Sequence, residues 1–186
     1  SLSPVTFEAL LQTGFASWAV PDAPFAEGGF YTPSGKCEFF SERLVAMGLE
    51  GLPNHVPNYE VPKAEDVYPL AMISPPARNF LNSTFVNVKS LRDMEREPLL
   101  EMHPDDAQAR GLQQGQRVRV YNQRGVYECA LDITTRARVG VVHGLGIWWR
   151  KWGLNHTNVN ELTHQQLTDL GRAPAFYDCA VQVSKA

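Results

Sequence analysis

The chain has 186 residues, of which 44% are hydrophobic and 20% are charged. This is enough apolar chain for one globular domain with additional segments, and it argues against disorder. The formal net charge of −3, from 17 basic and 20 acidic side chains, argues against a nucleic-acid partner, and the apolar stretches are shorter than the about 20 residues that a membrane span needs.

The first part of the chain, residues 1–66, is rich in Pro and Gly and shows little periodicity. This composition predicts an irregular lead-in or linker that comes from a preceding domain. Within it, residues 5–15 have the apolar spacing of a short helix. Residues 41–48 predict a second helix, with a serine N-cap and a glycine at its end. Residues 36–40 have the composition of a strand.

From residue 67 onward, short apolar runs alternate with turn residues. The predicted strands are 68–74, Leu99–Met102, 116–121, Val126–Ile133, 139–143 and 180–183. Between the third and fourth strands, residues 122–125 predict a hairpin turn in which Gly125 can adopt a positive φ. Residues 103–111 predict a compact helix with Pro104 at its first position. A small closed β-barrel suits these short strands, because closure removes exposed strand edges.

A polar stretch follows the first predicted strand, at residues 74–87. It offers side chains that donate hydrogen bonds, at Ser74, Arg78, Asn82, Ser83 and Thr84. Arginine can bind phosphate through two parallel hydrogen bonds, and an asparagine amide can pair with both a donor and an acceptor on a purine. The stretch therefore predicts a site for a phosphate or a nucleotide. The alternative is an ordinary surface loop interrupted by prolines.

Two later stretches could line the same site. Residues 144–152 contain Trp148 and two further tryptophans next to basic residues, and residues 155–163 are polar and contain Asn158 and Asn160. Indoles can stack on a heterocycle, but they also fill cores and domain interfaces. The polar stretch could equally be a capped loop before a helix.

The cysteines and histidines point away from a metal site within this chain. Cys37, Cys129 and Cys179 are far apart, so we expect buried free thiols and neither a disulfide framework nor an iron–sulfur cluster. The histidines lack metal-ligand spacing, and His103 is expected to cap a helix. No pairing of a nucleophile with a base stands out, so we expect no catalytic residue here. The acid pairs 105–106 and 95–97 are expected at a helix start and on a solvated face.

Taken in order, several segments resemble one family of enzymes. The segments are 32–44, 68–87, 99–125, 139–149, 158–163 and 174–183. Together they resemble the molybdopterin dinucleotide-binding domain at the C-terminal end of the dimethyl-sulfoxide-reductase family of molybdopterin oxidoreductases. The resemblance implies a mainly β fold, a double-psi β-barrel over residues 67–186 with a few short helices, preceded by the lead-in at residues 1–66.

The resemblance also implies a cofactor and its contacts. The cofactor would be bis-molybdopterin guanine dinucleotide carrying Mo or W, and the barrel would bind its nucleotide and phosphate part. The residues carried over by position are Ser74, Arg78, Asn82, Ser83, Thr84, Trp148, Asn158 and Asn160. Members of the family often have Asn where Tyr177 stands, and a tyrosine lacks the amide pattern, so no cofactor contact is expected there.

The same resemblance implies that the chain is one domain of a larger oxidoreductase, in the cytoplasm or the periplasm. The metal ligand, and an iron–sulfur cluster where the enzyme has one, would lie in other domains, and those domains and electron-transfer subunits would be the partners. Alone, the chain is expected to be inactive. Two alternatives stay open: a double-psi barrel that serves as an interaction or substrate-recognition module, and a small self-contained enzyme on the same barrel.

Overall fold

In a computed structural model of the chain, residues 5–17, 20–21 and 23–186 are described. The chain divides into two compact units, Ser1–His55 and Val56–Ala186. The second unit thus begins before residue 67, where the sequence pattern predicts the barrel domain to start. Residues 1–4, 18–19 and 22 of the predicted lead-in lie outside the described residues.

The first unit contains the two predicted helices, α1 (Phe7–Thr13) and α2 (Glu42–Ala46). The predicted serine cap of α2 is confirmed, because the Ser41 side chain accepts a hydrogen bond from the backbone N–H of Leu44. The predicted strand at residues 36–40 is wrong, because these residues form bends and unpaired chain. Strand-like composition is not sufficient where no neighbouring strand completes the ladder.

The second unit is a closed six-stranded barrel, which confirms the predicted fold class. Its strands are β1 (Leu70–Ile73), β2 (Leu99–Met102), β3 (Arg117–Tyr121), β4 (Val126–Ile133), β5 (Val141–Leu145) and β6 (Ala180–Lys185). They close in the order β1-β5-β2-β4-β3-β6. The pairs β1–β5 and β2–β4 are parallel, and the others are antiparallel. If β1, β2 and β3 exchange places with β4, β5 and β6, each strand pair maps onto a pair of the same direction. This internal two-fold relation is the one that a double-psi barrel requires.

Alternation along the strands fills the barrel. In β3, Val118 and Val120 are fully buried while Arg117 and Arg119 are exposed. The inward-facing side chains of the other strands join them in one apolar cluster. Period-two alternation is the local signal from which these strands could be predicted, because successive side chains point to opposite faces.

The β3–β4 hairpin is confirmed, but the predicted reason for its glycine is wrong. Gly125 does not adopt a positive φ. A Cβ built on Gly125 would instead lie 2.9 Å from the backbone oxygen of Glu161. The turn therefore needs a residue without a side chain because a distant part of the chain packs directly against it.

Two short α-helices flank the barrel strands, α3 (Lys89–Glu95) and α4 (Pro104–Ala109). The predicted cap of α4 is confirmed, because the His103 ring accepts a hydrogen bond from Asp105 N–H at 3.2 Å. Asp106 lies in the first turn of α4 as predicted. It is also buried and accepts a hydrogen bond from Gly140 N–H at 2.7 Å, which connects the helix to the chain before β5. Within the described residues, the helices are all too short or too polar to cross a membrane.

Candidate functional site

The barrel topology brings two polar segments to one edge. Strands β1 and β5 are parallel neighbours, with Ile73 opposite His143, so both chains leave the barrel at the same end. The first segment, residues 74–87, is called the β1 loop below, and the second, residues 146–163, is called the β5 segment. Loops at the carboxyl ends of neighbouring strands commonly form binding sites because the rigid strands position them.

The two segments contact each other along the backbone and through aromatic side chains. Gly146 N–H donates to Pro75 O at 2.9 Å, and a Cβ on Gly146 would lie 3.0 Å from the Ala77 Cβ. The rings of Phe80 and Trp148 pack edge to face with centroids 5.1 Å apart. These contacts hold the start of the β1 loop against the β5 segment.

The tip of the β1 loop is a closed turn over residues 81–84. Leu81 N–H donates to Thr84 O at 3.2 Å, and Thr84 N–H donates to Leu81 O at 2.8 Å. Asn82 has a φ of 52°, a left-handed conformation that asparagine tolerates better than most residues. The carbonyl of Ser83 accepts a hydrogen bond from Trp149 Nε1 at 2.7 Å. The turn thus has a defined shape and is fastened to the β5 segment.

Helix α3 contacts the β1 loop on both sides of this turn. The Glu95 carboxylate accepts hydrogen bonds from the backbone N–H and the side-chain amide of Asn79, at 2.6 and 2.8 Å. Arg92 Nη1 donates to Val86 O at 2.9 Å. The expectation of a solvated face for the 95–97 acid pair is wrong, since Glu95 is half-buried on the loop and Glu97 pairs with Arg117 at 2.8 Å.

The predicted residues of the β1 loop divide by exposure. Arg78, Asn82, Ser83 and Thr84 are exposed, and their side chains make no hydrogen bond to any described part of the chain. Ser74, directly after β1, is buried. The exposed side chains are available to a ligand, whereas Ser74 lies at the base of the loop.

The predicted residues of the β5 segment mostly support its own conformation. Trp148 is 2% exposed and belongs to an apolar cluster with Phe80 and Val86. The Asn158 amide donates to Trp148 O, and its oxygen accepts a hydrogen bond from Asn160 N–H at 2.9 Å. Asn158 thereby caps the 3-10 helix Val159–Glu161 in a reciprocal capping box. The Asn160 side chain is exposed.

Comparison with known proteins identifies this barrel. A family model described as "Molydopterin dinucleotide binding domain" matches residues 70–180. The chain belongs to this family. The match covers strands β1 to β5 and the first residue of β6, together with the β1 loop and the β5 segment.

Curated relatives of this dinucleotide-binding domain are much longer proteins. It is 32% identical to "Probable oxidoreductase YoaE" of Bacillus subtilis (strain 168), over 99% of this chain and 26% of that protein. It is 30% identical to "Dimethyl sulfoxide reductase DmsA" of Escherichia coli (strain K12), over 83% of this chain and 21% of that protein. The "Trimethylamine-N-oxide reductase" of Haemophilus influenzae is also 30% identical, over 83% of this chain and 21% of that protein. The chain thus spans only 21–26% of the length of these relatives.

A solved structure has the same fold. Acetylene hydratase from Pelobacter acetylenicus superposes with a TM-score of 0.70 at 20% identity, over 83% of this chain and 24% of that chain. This likeness shows that the two chains share the barrel fold.

Three side chains of the dinucleotide-binding domain join the site without having been predicted. Trp149 is 40% exposed and bonded to the β1 loop, whereas its predicted neighbour Trp148 is buried. The Lys151 ammonium lies 4.9 Å from the Trp149 ring centroid, and the Arg92 guanidinium lies 3.7 Å from that of Trp152. Trp149 and Lys151 lie in the stretch at residues 144–152, whose tryptophans and basic residues stand out in the sequence. Arg92 had no such signal, because α3 was not predicted.

A cavity lies at the opposite end of β1. It has a volume of about 670 Å³, and Tyr177 is one of its lining residues. Its charged lining side chains already have partners. Glu60 pairs with Arg124, and Asp106 lies 3.6 Å from Arg110, which also donates to Gln182. The charged side chains of the cavity are therefore engaged with partners, whereas the exposed donors of the β1 loop are available to a ligand.

The cysteines of the chain differ in burial. Cys129 and Cys179 are buried as expected, and burial raises the pKa of the Cys179 thiol to about 11 against the opposing effect of Arg124. The expectation is wrong for Cys37, which is exposed. Among the described residues, no three or more His, Cys, Asp or Glu side chains are grouped so that they could hold a metal ion.

Proposed function

We propose that this domain binds the nucleotide and phosphate part of a molybdopterin guanine dinucleotide through the β1 loop. The observation that carries the proposal is the closed turn at residues 81–84. It presents the side chains of Asn82, Ser83 and Thr84 to solvent without partners in the described chain, and Arg78 is exposed in the same loop. Donors that are already positioned can bind an anion without first breaking contacts of their own.

The chemistry of these side chains fits the group. The Arg78 guanidinium and the Ser83 and Thr84 hydroxyls are donors for phosphate oxygens, and the Asn82 amide can pair with a purine edge. Bound pterin and metal would supply the redox chemistry, while this domain would bind and orient the nucleotide end.

The remaining predicted site residues have different parts in the proposal. Ser74, Trp148 and Asn158 would hold the two segments in place from their buried or half-buried positions. Asn160 is exposed and would be available to the ligand from the β5 segment.

The proposal extends to the larger protein of which this domain would form part. Its relatives carry the names of oxidoreductases, and it spans 21–26% of their length. We infer that it serves a molybdenum or tungsten oxidoreductase that holds a bis-molybdopterin guanine dinucleotide. The metal ligand, any iron–sulfur cluster and the docking of electron-transfer subunits would belong to other domains. The alternative of an interaction module is favoured by none of the contacts described above.

A titration with GDP tests the site in this chain. Chemical shifts would be followed in the wild type, in Asn82→Ala and Ser83→Ala, and in Asn87→Ala, whose exposed amide lies in the same loop outside the turn. We expect saturable shifts centred on residues 78–84, with a dissociation constant on the order of 1 mM because only part of the cofactor is offered. Binding should weaken in the first two variants and persist in the third.

Two results would overturn the proposed site. Saturable shifts around Glu60 and Tyr177 would place the nucleotide in the cavity at the opposite end of β1. Absence of any shift at millimolar GDP would show that the β1 loop does not form a nucleotide site in this chain.

A further inference from the structure

Helix α3 contacts the β1 loop on both sides of the turn at residues 81–84. We propose that Glu95 is a positioning residue, whose carboxylate fixes the β1 loop in the conformation that receives the dinucleotide. The inference rests on the proposed function, and it assigns a role to a residue that does not itself touch the ligand.

The contact of Glu95 with Asn79 is specific. One carboxylate oxygen, Oε1, accepts both the backbone N–H of Asn79 at 2.6 Å and its side-chain amide at 2.8 Å. Hydrogen bonds to an ionised group are shorter and stronger than neutral ones. Asn79 directly follows Arg78, so this double contact fixes the backbone beside one of the proposed phosphate donors.

Arg92 makes the corresponding contact beyond the turn. Its Nη1 donates to Val86 O at 2.9 Å, and its guanidinium lies 3.7 Å from the centroid of the Trp152 ring. Arg92 therefore connects helix α3 to the end of the β1 loop and also to the β5 segment. Glu95 binds Asn79 before the exposed turn, and Arg92 binds Val86 after it. Helix α3 therefore holds the turn from both sides.

This arrangement explains why the donors of the turn need no partners of their own. A loop that carries unpaired donors would ordinarily sample many conformations, and a ligand would have to restrict them on binding. Contacts from α3 and from Trp149 restrict the loop in advance, so less conformational entropy is lost when the nucleotide binds. Releasing Glu95 should weaken binding without removing any group that touches the ligand.

The test compares two variants of Glu95 with a neighbouring control. Glu95→Ala removes the acceptor, whereas Glu95→Gln keeps an Oε1 that can accept both bonds from Asn79. Asp93→Ala removes an acid of the same helix that pairs with Lys89 on the surface. Each variant is first checked for wild-type circular dichroism. Amide hydrogen exchange at Asn79 and chemical-shift titration with GDP are then measured.

We expect Glu95→Ala to speed exchange of the Asn79 amide and to weaken GDP binding, each about tenfold. Glu95→Gln keeps a neutral acceptor that forms weaker bonds, so its loss should be clearly smaller than that of Glu95→Ala, and Asp93→Ala should stay within about twofold of the wild type. If GDP binding is weaker in Glu95→Ala than in Glu95→Gln, the effect comes from the acceptor oxygen and not from a general disturbance of helix α3. If Glu95→Ala fails to fold, Asn79→Ala replaces it, because that variant removes only the side-chain half of the contact.

The outcomes separate this inference from the proposed function. Unchanged exchange and unchanged GDP affinity in Glu95→Ala would overturn the positioning role and leave the nucleotide site standing. Faster exchange at Asn79 in a chain whose wild type does not bind GDP would show the loop contact and overturn the proposed function. An equal loss in Glu95→Gln and Glu95→Ala would contradict positioning through the acceptor oxygen.

Discussion

Glu60 and Arg124 form a two-pronged ion pair that joins the chain before β1 to the β3–β4 turn. Arg124 Nη1 and Nη2 lie 2.5 and 3.0 Å from the two Glu60 carboxylate oxygens, and both side chains are about four-fifths buried. The same carboxylate accepts the backbone N–H of Ala180 at 2.7 Å, at the start of β6. Glu60 thus connects the chain before β1 to the β3–β4 turn and to the start of β6.

The first prediction concerns the pH dependence of this pair. Burial raises the pKa of the Glu60 carboxyl, but hydrogen bonds from Arg124 and Ala180 outweigh it, so the pKa lies below its ordinary value of 4.5. Because the folded pKa is depressed, the stabilisation is complete above the unfolded pKa and is lost as the pH falls through the folded one. Glu60→Gln should lower the free energy of unfolding at neutral pH by about 1–3 kcal/mol.

Urea unfolding of the wild type and of Glu60→Gln at about pH 7 and about pH 3 measures this difference. The gap between the two proteins should shrink at the lower pH, because the Glu60 carboxyl of the unfolded chain is then protonated and folding with an ionised carboxylate has to release that proton. An equal gap at both values would show that the ionised pair does not stabilise the barrel.

A second prediction follows from the close approach of Glu161 to Gly125. Gly125→Ala should destabilise the chain by about 1–3 kcal/mol, because the new Cβ would lie 2.9 Å from a backbone oxygen that cannot move alone. Gly171→Ala is the matched control, since its nearest neighbour is a side-chain oxygen of Thr168 at 3.7 Å. Thermal or urea unfolding measures both variants, and equal stability of the two would contradict the close packing.

The thiols provide a third prediction. In the native chain, a thiol reagent at mildly alkaline pH should modify Cys37 rapidly, because Cys37 is exposed. Cys129 and Cys179 should react only after unfolding, since they are buried and burial raises the pKa of both thiols, that of Cys179 to about 11. Cys37→Ser should abolish the rapid reaction. Rapid labelling that persists in this variant would show that the barrel interior opens to solvent.

A fourth prediction concerns the hydrogen bond between Trp149 and the β1 loop. Trp149→Phe keeps a large ring but removes the Nε1–H that donates to Ser83 O at 2.7 Å. Losing this bond should loosen the turn and weaken GDP binding about fivefold, equivalent to about 1 kcal/mol. Trp152→Phe is the control, because its ring is equally exposed and a phenylalanine still offers Arg92 an aromatic face. Equal losses in both variants would contradict the assignment.

Several features of the second unit could be predicted from the sequence because their causes are local. Alternation of apolar and polar residues sets the strands, and turn residues separate them. The cap of α4 lies within its own few residues, so His103 was placed correctly. Closure of the short strands into a barrel followed from the need to leave no exposed edges.

Other features depended on partners that are distant in the sequence. Helix α3 begins without a side-chain cap and is followed by Arg96, where a glycine is usual, at a φ of 67°, so it lacks the usual cap residues at both ends. Of two adjacent tryptophans, Trp148 is buried because it packs against Phe80, whereas Trp149 contacts the β1 loop.

By itself, the sequence determined the strands, the barrel and the polar stretch at residues 74–87, because hydrophobic periodicity and residue chemistry act over a few neighbouring positions. Only the tertiary structure decided which side chains of that stretch are free and which residues hold it. Glu95 binds Asn79 across 16 positions, and Trp149 binds Ser83 across 66. Such contacts leave no local pattern, because they arise only when the closed barrel brings distant segments to one edge.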